Sequence, residues 1–372
     1  MMYQPIHGTH CARQPPRRTA LVITFDGVSK VFPDGTVAVD DLTLELETGK
    51  LTVFVGPSGC GKTTSLRMIN RMIHPTSGRV TIDGKDVASQ DEALLRRNIG
   101  YVIQAAGLFP HRTIVQNIMT VPALVGTNKK KAKATALELM ARVGLPESMA
   151  DRYPVQLSGG QQQRVGVARA LAADPNVMIM DEPFSAVDPI VREQLQAEFL
   201  RLQSELGKTI AMVTHDIDEA IKLGDKVAIF QEGGHLAQYA TPQEILEKPA
   251  NDFVAGFVGR DRGFRSLSFD SAGSLTVIPV SEALSGAERL VLDENGRPLG
   301  WTGPGLGSET APTFHAGTFT VHDTLRLVTD LAISSPVGIA VRVDENGAVD
   351  GVLRHASLAE QLDARRRTRV TA

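Results

Sequence analysis

The stretch LTVFVGPSGCGKTTSLRMI, Leu51–Ile69, decides the fold. Leu51 to Val55 read as a short strand buried on both faces. A glycine-rich turn, Gly56–Thr63, follows, and then a helical pattern over Lys62–Ile73. The turn fits G-x-x-x-x-G-K-[ST] at every position. Glycines there let successive backbone N–H groups point inward around phosphate oxygens, and the helix N-terminus adds partial positive charge. Gly56, Pro57, Ser58, Gly59, Cys60, Gly61, Lys62, Thr63 and Thr64 are therefore candidate nucleotide contacts. Lys62 reaches the β- and γ-phosphates of such a ligand, and the Thr63 hydroxyl can ligate Mg2+. Cys60 is read as filling space in the loop, not as a nucleophile.

Outward from this turn, strand-like and helical runs alternate from about Val22 to Phe257, which argues for an α/β domain with a mostly parallel sheet. The stretch before it, with turns at Pro33-Asp34-Gly35 and Thr48-Gly49, reads as an antiparallel β lead-in. Downstream, VMIMDEP (Val177–Pro183) is a buried strand that delivers Asp181 and Glu182 at its C-terminal end, where α/β sheets bind ligands. Asp181 suits Mg2+ through water, and Glu182 suits a general base that polarises the attacking water.

Between these motifs lies LSGGQQQR, Leu157–Arg164, opening a helix over Gln161–Leu171. Ser158, Gly159, Gly160 and Gln161 form a second anion-binding helix end. With the other two motifs in this order, the chain resembles the ATP-binding cassette (ABC) ATPases. The resemblance implies ATP and Mg2+ as ligands and a P-loop cassette with a mixed sheet core and a helical signature subdomain. It implies that Gln104 senses Mg2+ and the attacking water, that Asp188 is the D-loop aspartate, and that His215 is the switch histidine on the γ-phosphate. Phe32, thirty residues before Lys62, resembles the aromatic that stacks on adenine. A second ATP-binding subunit, most simply another copy, is then expected to complete each site with its own Ser158 and Gly160.

GLFPHRTI, within Gln104–Ile118, resembles the groove that receives a membrane permease in importers of this family. SLRMINRMIHPTSGRVTIDGKDV and YPVQLSGGQQQRVGVARALAADP narrow the resemblance to the glycine betaine, carnitine and choline importers. That class implies a place on the cytoplasmic face of the cell membrane and an indirect link to a solute-binding protein. An importer ATPase for another solute class, such as an amino acid or polyamine, shares the same motifs. So does a soluble ABC ATPase, although this chain has one cassette and no long coiled-coil insertion.

The chain is 372 residues long, which suits two domains. Its formal net charge of −3 gives no electrostatic case for a nucleic-acid partner. The two cysteines, Cys11 and Cys60, make no disulfide framework. Residues 1–21 read as a disordered leader, residues 22–260 as the cassette, 261–363 as a smaller α+β domain and 364–372 as a basic tail. LVLDENGRPLG (Leu290–Gly300) matches VRVDENGAVDG (Val341–Gly351), and each Asn-Gly favours a type I′ hairpin turn. Together with the helical run Val321–Ala332, the repeat resembles a degenerate tandem pair of cystathionine-β-synthase-like (CBS) modules, the first copy shortened. Arg365, Arg366, Arg367 and Arg369 read as a solvated end, the sharper alternative being contact with anionic lipid.

Overall fold

The computed structural model describes residues 23–104, 107–185, 187–283, 288–306 and 308–371. The expected leader, 1–21, lies outside these residues. The chain forms two compact units, Met1–Pro242 and Gln243–Ala372, divided upstream of the change in composition near Asp261.

In the first unit β1 (Ile23–Val31) and β2 (Val37–Leu46) form the lead-in hairpin. β3 (Leu51–Val55) runs into the phosphate turn, and β4 (Ser77–Ile82) and β5 (Lys85–Asp86) return to the hairpin. β6 (Ile99–Val102), β7 (Val177–Asp181), β8 (Thr209–Val213), β9 (Lys226–Gln231) and β10 (His235–Ala240) follow. The antiparallel sheet has the order β2-β1-β4-β5, and the larger sheet β10-β9-β3-β8-β7-β6. All pairings in the larger sheet are parallel except β9 with β10.

β3, β7 and β8 are buried at every residue, as expected of parallel strands covered on both faces. Phe54 joins the two sheets: its ring lies 6.4 Å from that of Phe25 in β1 and 5.4 Å from that of Phe230 in β9. Burying three such rings contributes about 1.5–3 kcal/mol each. This topology brings the C-terminal ends of β3, β6, β7 and β8 to one edge.

The helix after the phosphate turn spans Lys62–Ile69 and stops short of the expected Ile73. Arg71 adopts a left-handed φ of 57°, and the Met72 N–H reaches back to the Arg67 carbonyl at 3.0 Å. That is a Schellman-type stop, made here without glycine. The signature helix spans Gly159–Leu171, two residues longer at its start than expected, because the Ser158 side chain caps it.

In the second unit β11 (Arg289–Leu292) pairs antiparallel with β12 (Pro298–Thr302). β13 (Thr318–Phe319), β14 (Ile339–Val343) and β15 (Val349–Arg354) form a three-stranded sheet with helices Leu325–Ser334 and His355–Thr371. β14 alternates: Ile339 and Val341 cluster with Trp301, whereas Ala340 clusters with Leu325, Val328 and Leu331 of the first helix. The basic run is part of helix His355–Thr371 and no separate tail. Arg365 donates a hydrogen bond to Ser274 Oγ; the side chains of Arg366 and Arg369 lie outside the described residues.

The two Asn-Gly hairpins differ from the expected type I′. φ is positive at Gly296 (75°) and Gly347 (83°) but at neither Asn295 nor Asn346. Each is a type I turn closed by a left-handed glycine, the G1 bulge. The cause is the leading aspartate. Asp293 Oδ1 accepts from Asn295 N and Arg297 N, both at 2.8 Å, and Asp344 Oδ1 accepts from Asn346 N and Ala348 N, both at 2.9 Å. The turns also bond each other: Val349 N donates to Gly296 O at 3.0 Å, and Arg297 Nε to Asn346 O at 3.2 Å.

Candidate active site

The phosphate turn is held by close backbone approach. A Cβ on Gly61 (φ 90°) would lie 2.0 Å from the Ala38 carbonyl oxygen, and one on Gly56 (φ 154°) 2.2 Å from that of Phe230. Only glycine fits either position. The same contact sets the start of β2 against the turn, next to the loop bearing Phe32. Phe32 is half-buried, with Lys30 Nζ 5.3 Å from its ring centroid.

Lys62 is buried and crosses the loop, its Nζ donating to the carbonyls of Gly56 (2.8 Å) and Pro57 (2.7 Å). Cys60 is also buried, with Sγ 3.6 Å from Lys62 Nζ. Burial pushes its thiol pKa up against the pull of Lys62, which fits the reading of Cys60 as an inert filler.

Thr63 Oγ1 donates to Asp181 Oδ1 at 3.1 Å. This joins the turn after β3 to the end of β7 and sets a hydroxyl beside a carboxylate, the oxygen donors a hard cation takes. Among the described residues no group of three His, Cys, Asp or Glu side chains could hold a metal. Mg2+ on a nucleotide needs none, since phosphates and water fill its other positions.

Asp181 is 4% exposed, and its other oxygen pairs with Arg67 Nη2 at 3.2 Å. Tyr101 on β6 interacts with Arg67 in turn; burial and the Asp181 charge raise its phenol pKa, and Arg67 opposes them. Arg67 was not singled out from sequence. Its place four residues after Thr63, on the same helix face, is the signal that could have found it.

Glu182 has a left-handed φ of 45°, a strained setting for a residue with a Cβ. Its N–H donates to Val213 O at 3.0 Å, tying the elbow to β8. The elbow turns the carboxylate toward two partners: Gln104 Nε2 donates to Oε2 at 3.3 Å, and His215 Nδ1 lies 3.4 Å from Oε1. Gln104, Glu182 and His215, from the ends of β6, β7 and β8, thus converge.

Ser158, Gly159, Gly160, Gln161 and Asp188 stand apart. Ser158 and Gln161 form a reciprocal capping box at 3.3 and 3.0 Å, and Asp188 Oδ1 caps its own helix through Ile190 N at 3.0 Å. Among the described residues no hydrogen bond or ion pair links these five to the Glu182 cluster.

In the Gln104–Ile118 segment, Ala105 and Ala106 lie outside the described residues. Phe109 is 39% exposed. Asn117, also missed in the sequence, is fully buried and ties the loop: its Nδ2 donates to the carbonyls of Phe109, Arg112 and Thr113, and Phe109 N donates to its Oδ1 at 2.8 Å. A cavity of about 320 Å3 lined by Asn70, Met72, Arg96, Ile99 and Tyr101 flanks β6, the strand that leads to Gln104.

Comparison with known proteins points to one family. A family profile described as ABC transporter matches residues 39–185. The osmoprotectant import ATP-binding protein OsmV of Salmonella typhimurium is 44% identical over 356 residues, covering 89% of this chain and 93% of that protein. The carnitine transport ATP-binding protein OpuCA of Listeria monocytogenes is 54% identical over 241 residues, 65% of this chain and 60% of its own length. The match therefore spans less than two thirds of that relative. The dimeric structure of MJ0796, a bacterial ABC transporter cassette, has a TM-score of 0.54 at 32% identity, covering 59% of this chain and 98% of that one.

Proposed function

The chain belongs to the family of ABC transporter ATP-binding proteins, and from that premise we propose that it hydrolyses ATP to drive uptake of a quaternary-amine osmoprotectant, of the glycine betaine, carnitine and choline class. The convergence of Gln104 and His215 on Glu182 carries the hydrolytic reading. Glu182 takes a proton from the attacking water while Gln104 orients both. His215 stands ready to contact the γ-phosphate, and Lys62 offsets its charge. Thr63, Asp181 and Gln104 would hold Mg2+, which would supply further charge neutralisation. Phe32 stacks on the adenine.

Among the described residues Ser158, Gly160 and Asp188 make no bond to the cluster in their own chain, which supports a pairing in which a second copy supplies them. The dimeric state of the MJ0796 cassette supports the same arrangement. No helix among the described residues is long and apolar enough to cross a membrane. As the relatives are import and transport ATP-binding proteins, the reading puts the chain against a membrane permease on the cytoplasmic face, and through it in indirect contact with a solute-binding protein. The cavity beside β6 and the exposed Phe109 suit that docking, and Tyr101 connects the cavity to Arg67 and Asp181. The strand–helix–strand–strand–helix order from Thr318 to Thr371 supports a CBS-like regulatory role for the second unit.

Glu182→Gln tests the core of the reading. The variant should bind MgATP, form a dimer by light scattering and release no phosphate. A variant that stays monomeric with ATP and hydrolyses at the wild-type rate refutes it.

A further inference from the structure

Glu219 is a buried carboxylate that the hydrolytic scheme does not use. It lies on the helix Ile217–Leu223, four residues after His215, and is 7% exposed. One oxygen, Oε1, accepts from Gln196 Nε2 at 2.9 Å in a bond closed to solvent. The Thr214 hydroxyl also bonds the carboxylate, and the charges of Asp216 and Arg192 act on it.

These partners come from two segments that bear proposed site residues. Gln196 and Arg192 belong to the helix Pro189–Leu206, capped by Asp188. Arg192 Nη2 donates to the Val187 carbonyl at 3.2 Å, just before that cap. Thr214 directly precedes His215 and is fixed to the central strand, its N–H donating to Phe54 O at 3.0 Å. A cavity of about 40 Å3 is lined by Glu182, Arg192, Thr214, His215 and Glu219 among others, so the clasp and the general base share one wall.

Burying a carboxylate is costly, and a well-packed apolar pair often serves stability equally well. What the apolar pair cannot do is fix two segments in one geometry through directed bonds. We propose that Glu219 is a positioning residue that clasps the switch segment to the helix headed by Asp188 and so sets where His215 stands relative to Glu182. The clasp rests on the hydrolytic reading above. Gln196 and Glu219 are the two halves of its central bond.

Steady-state ATP hydrolysis by the full chain, with ATP affinity measured separately by calorimetry, tests it. Glu219→Ala lowers kcat about tenfold with ATP affinity unchanged, since small misplacements of reacting groups act on the chemical step. Gln196→Ala acts alike, and the double alanine variant loses no more than either single, as residues sharing one bond are not additive. The exchange Gln196→Glu with Glu219→Gln rebuilds the bond with donor and acceptor reversed and restores kcat to within about threefold of wild type. The clasp is overturned if Glu219→Ala keeps more than about half of the wild-type kcat, a change under 0.5 kcal/mol in barrier. It is equally overturned if the exchanged pair stays as slow as the alanine variant. Should Glu219→Ala fail to fold, Gln196→Ala and the exchanged pair decide alone. Loss of activity in every variant beside an active wild type, with unchanged Glu182→Gln behaviour, sinks the clasp and spares the hydrolytic reading. An inactive wild type sinks both.

Discussion

Replacing Glu182 with glycine should leave the protein catalytically dead but more stable than the same protein with alanine there. Glu182 sits at φ 45°, where a residue with a Cβ carries about 1–2 kcal/mol of strain. Its side-chain contacts at 3.3 and 3.4 Å are long and partly solvated. Contacts of that kind contribute a few tenths of a kcal/mol each. Glycine relieves the strain but gains entropy in the unfolded chain, which offsets about 0.4–1 kcal/mol. The balance favours Glu182→Gly over Glu182→Ala by roughly 0.5–1 kcal/mol. In a unit of this size that is a rise in Tm of about 1–4 °C, measured by scanning calorimetry without nucleotide. Both variants should lose phosphate release by about 10²–10⁴-fold, the usual contribution of a general base. The alanine variant is the essential control, since it loses the carboxylate and keeps the strain. If Glu182→Gly melts no higher than Glu182→Ala, the elbow is not strained and the argument fails.

Asn117→Ala should destabilise the first unit by about 2–4 kcal/mol in urea unfolding, because it strips partners from several buried backbone groups at once. A loss below about 1 kcal/mol would mean that water replaces the amide. Burial raises the Glu219 carboxyl pKa above its ordinary 4.5, against hydrogen bonds from Thr214 and Gln196. The folded state therefore holds this proton more tightly than the unfolded chain does. The resulting stability is full below 4.5 and is lost as pH rises through the raised value. Arg192, Asp216, His215 and Glu182 face the same region, so the readout is a difference: Glu219→Gln should flatten the fall of Tm with pH above 4.5 relative to wild type. Parallel curves would refute the assignment.

What the sequence made legible was whatever is contiguous. The phosphate turn needs its glycines and lysine within eight positions, and β3, β7 and β8 announce themselves because burial on both faces demands apolar runs. Glu182 and His215 stand at strand ends, which the parallel order brings to one edge. Arg67 and Glu219 were not read as site residues, since each meets a partner outside its own segment, Asp181 and Gln196, although the spacing of Arg67 from Thr63 was a usable hint. Asn117 was missed because its role is to bond the backbone of its own loop, at Phe109, Arg112 and Thr113, which no motif marks. The Asn-Gly hairpins misled for a local reason. The pair favours type I′ in isolation, but an aspartate two positions ahead captures two N–H groups and holds Asn in a right-handed conformation. The end of the helix Lys62–Ile69 was missed because Arg71 takes the place usually given to glycine.

The twin turns bear on where a reporter could be inserted in this chain. An exposed Asn-Gly turn is where one would first open a chain to place a fluorescent tag. Here each turn's backbone serves the other, through Gly296 O and Asn346 O, so an insertion in one would tear the lattice of the second. Asp83-Gly84, between β4 and β5, is the safer door. It is a true type I′ loop, φ 53° and 70°, and its exposed glycine has nothing within 4 Å of where a Cβ would sit.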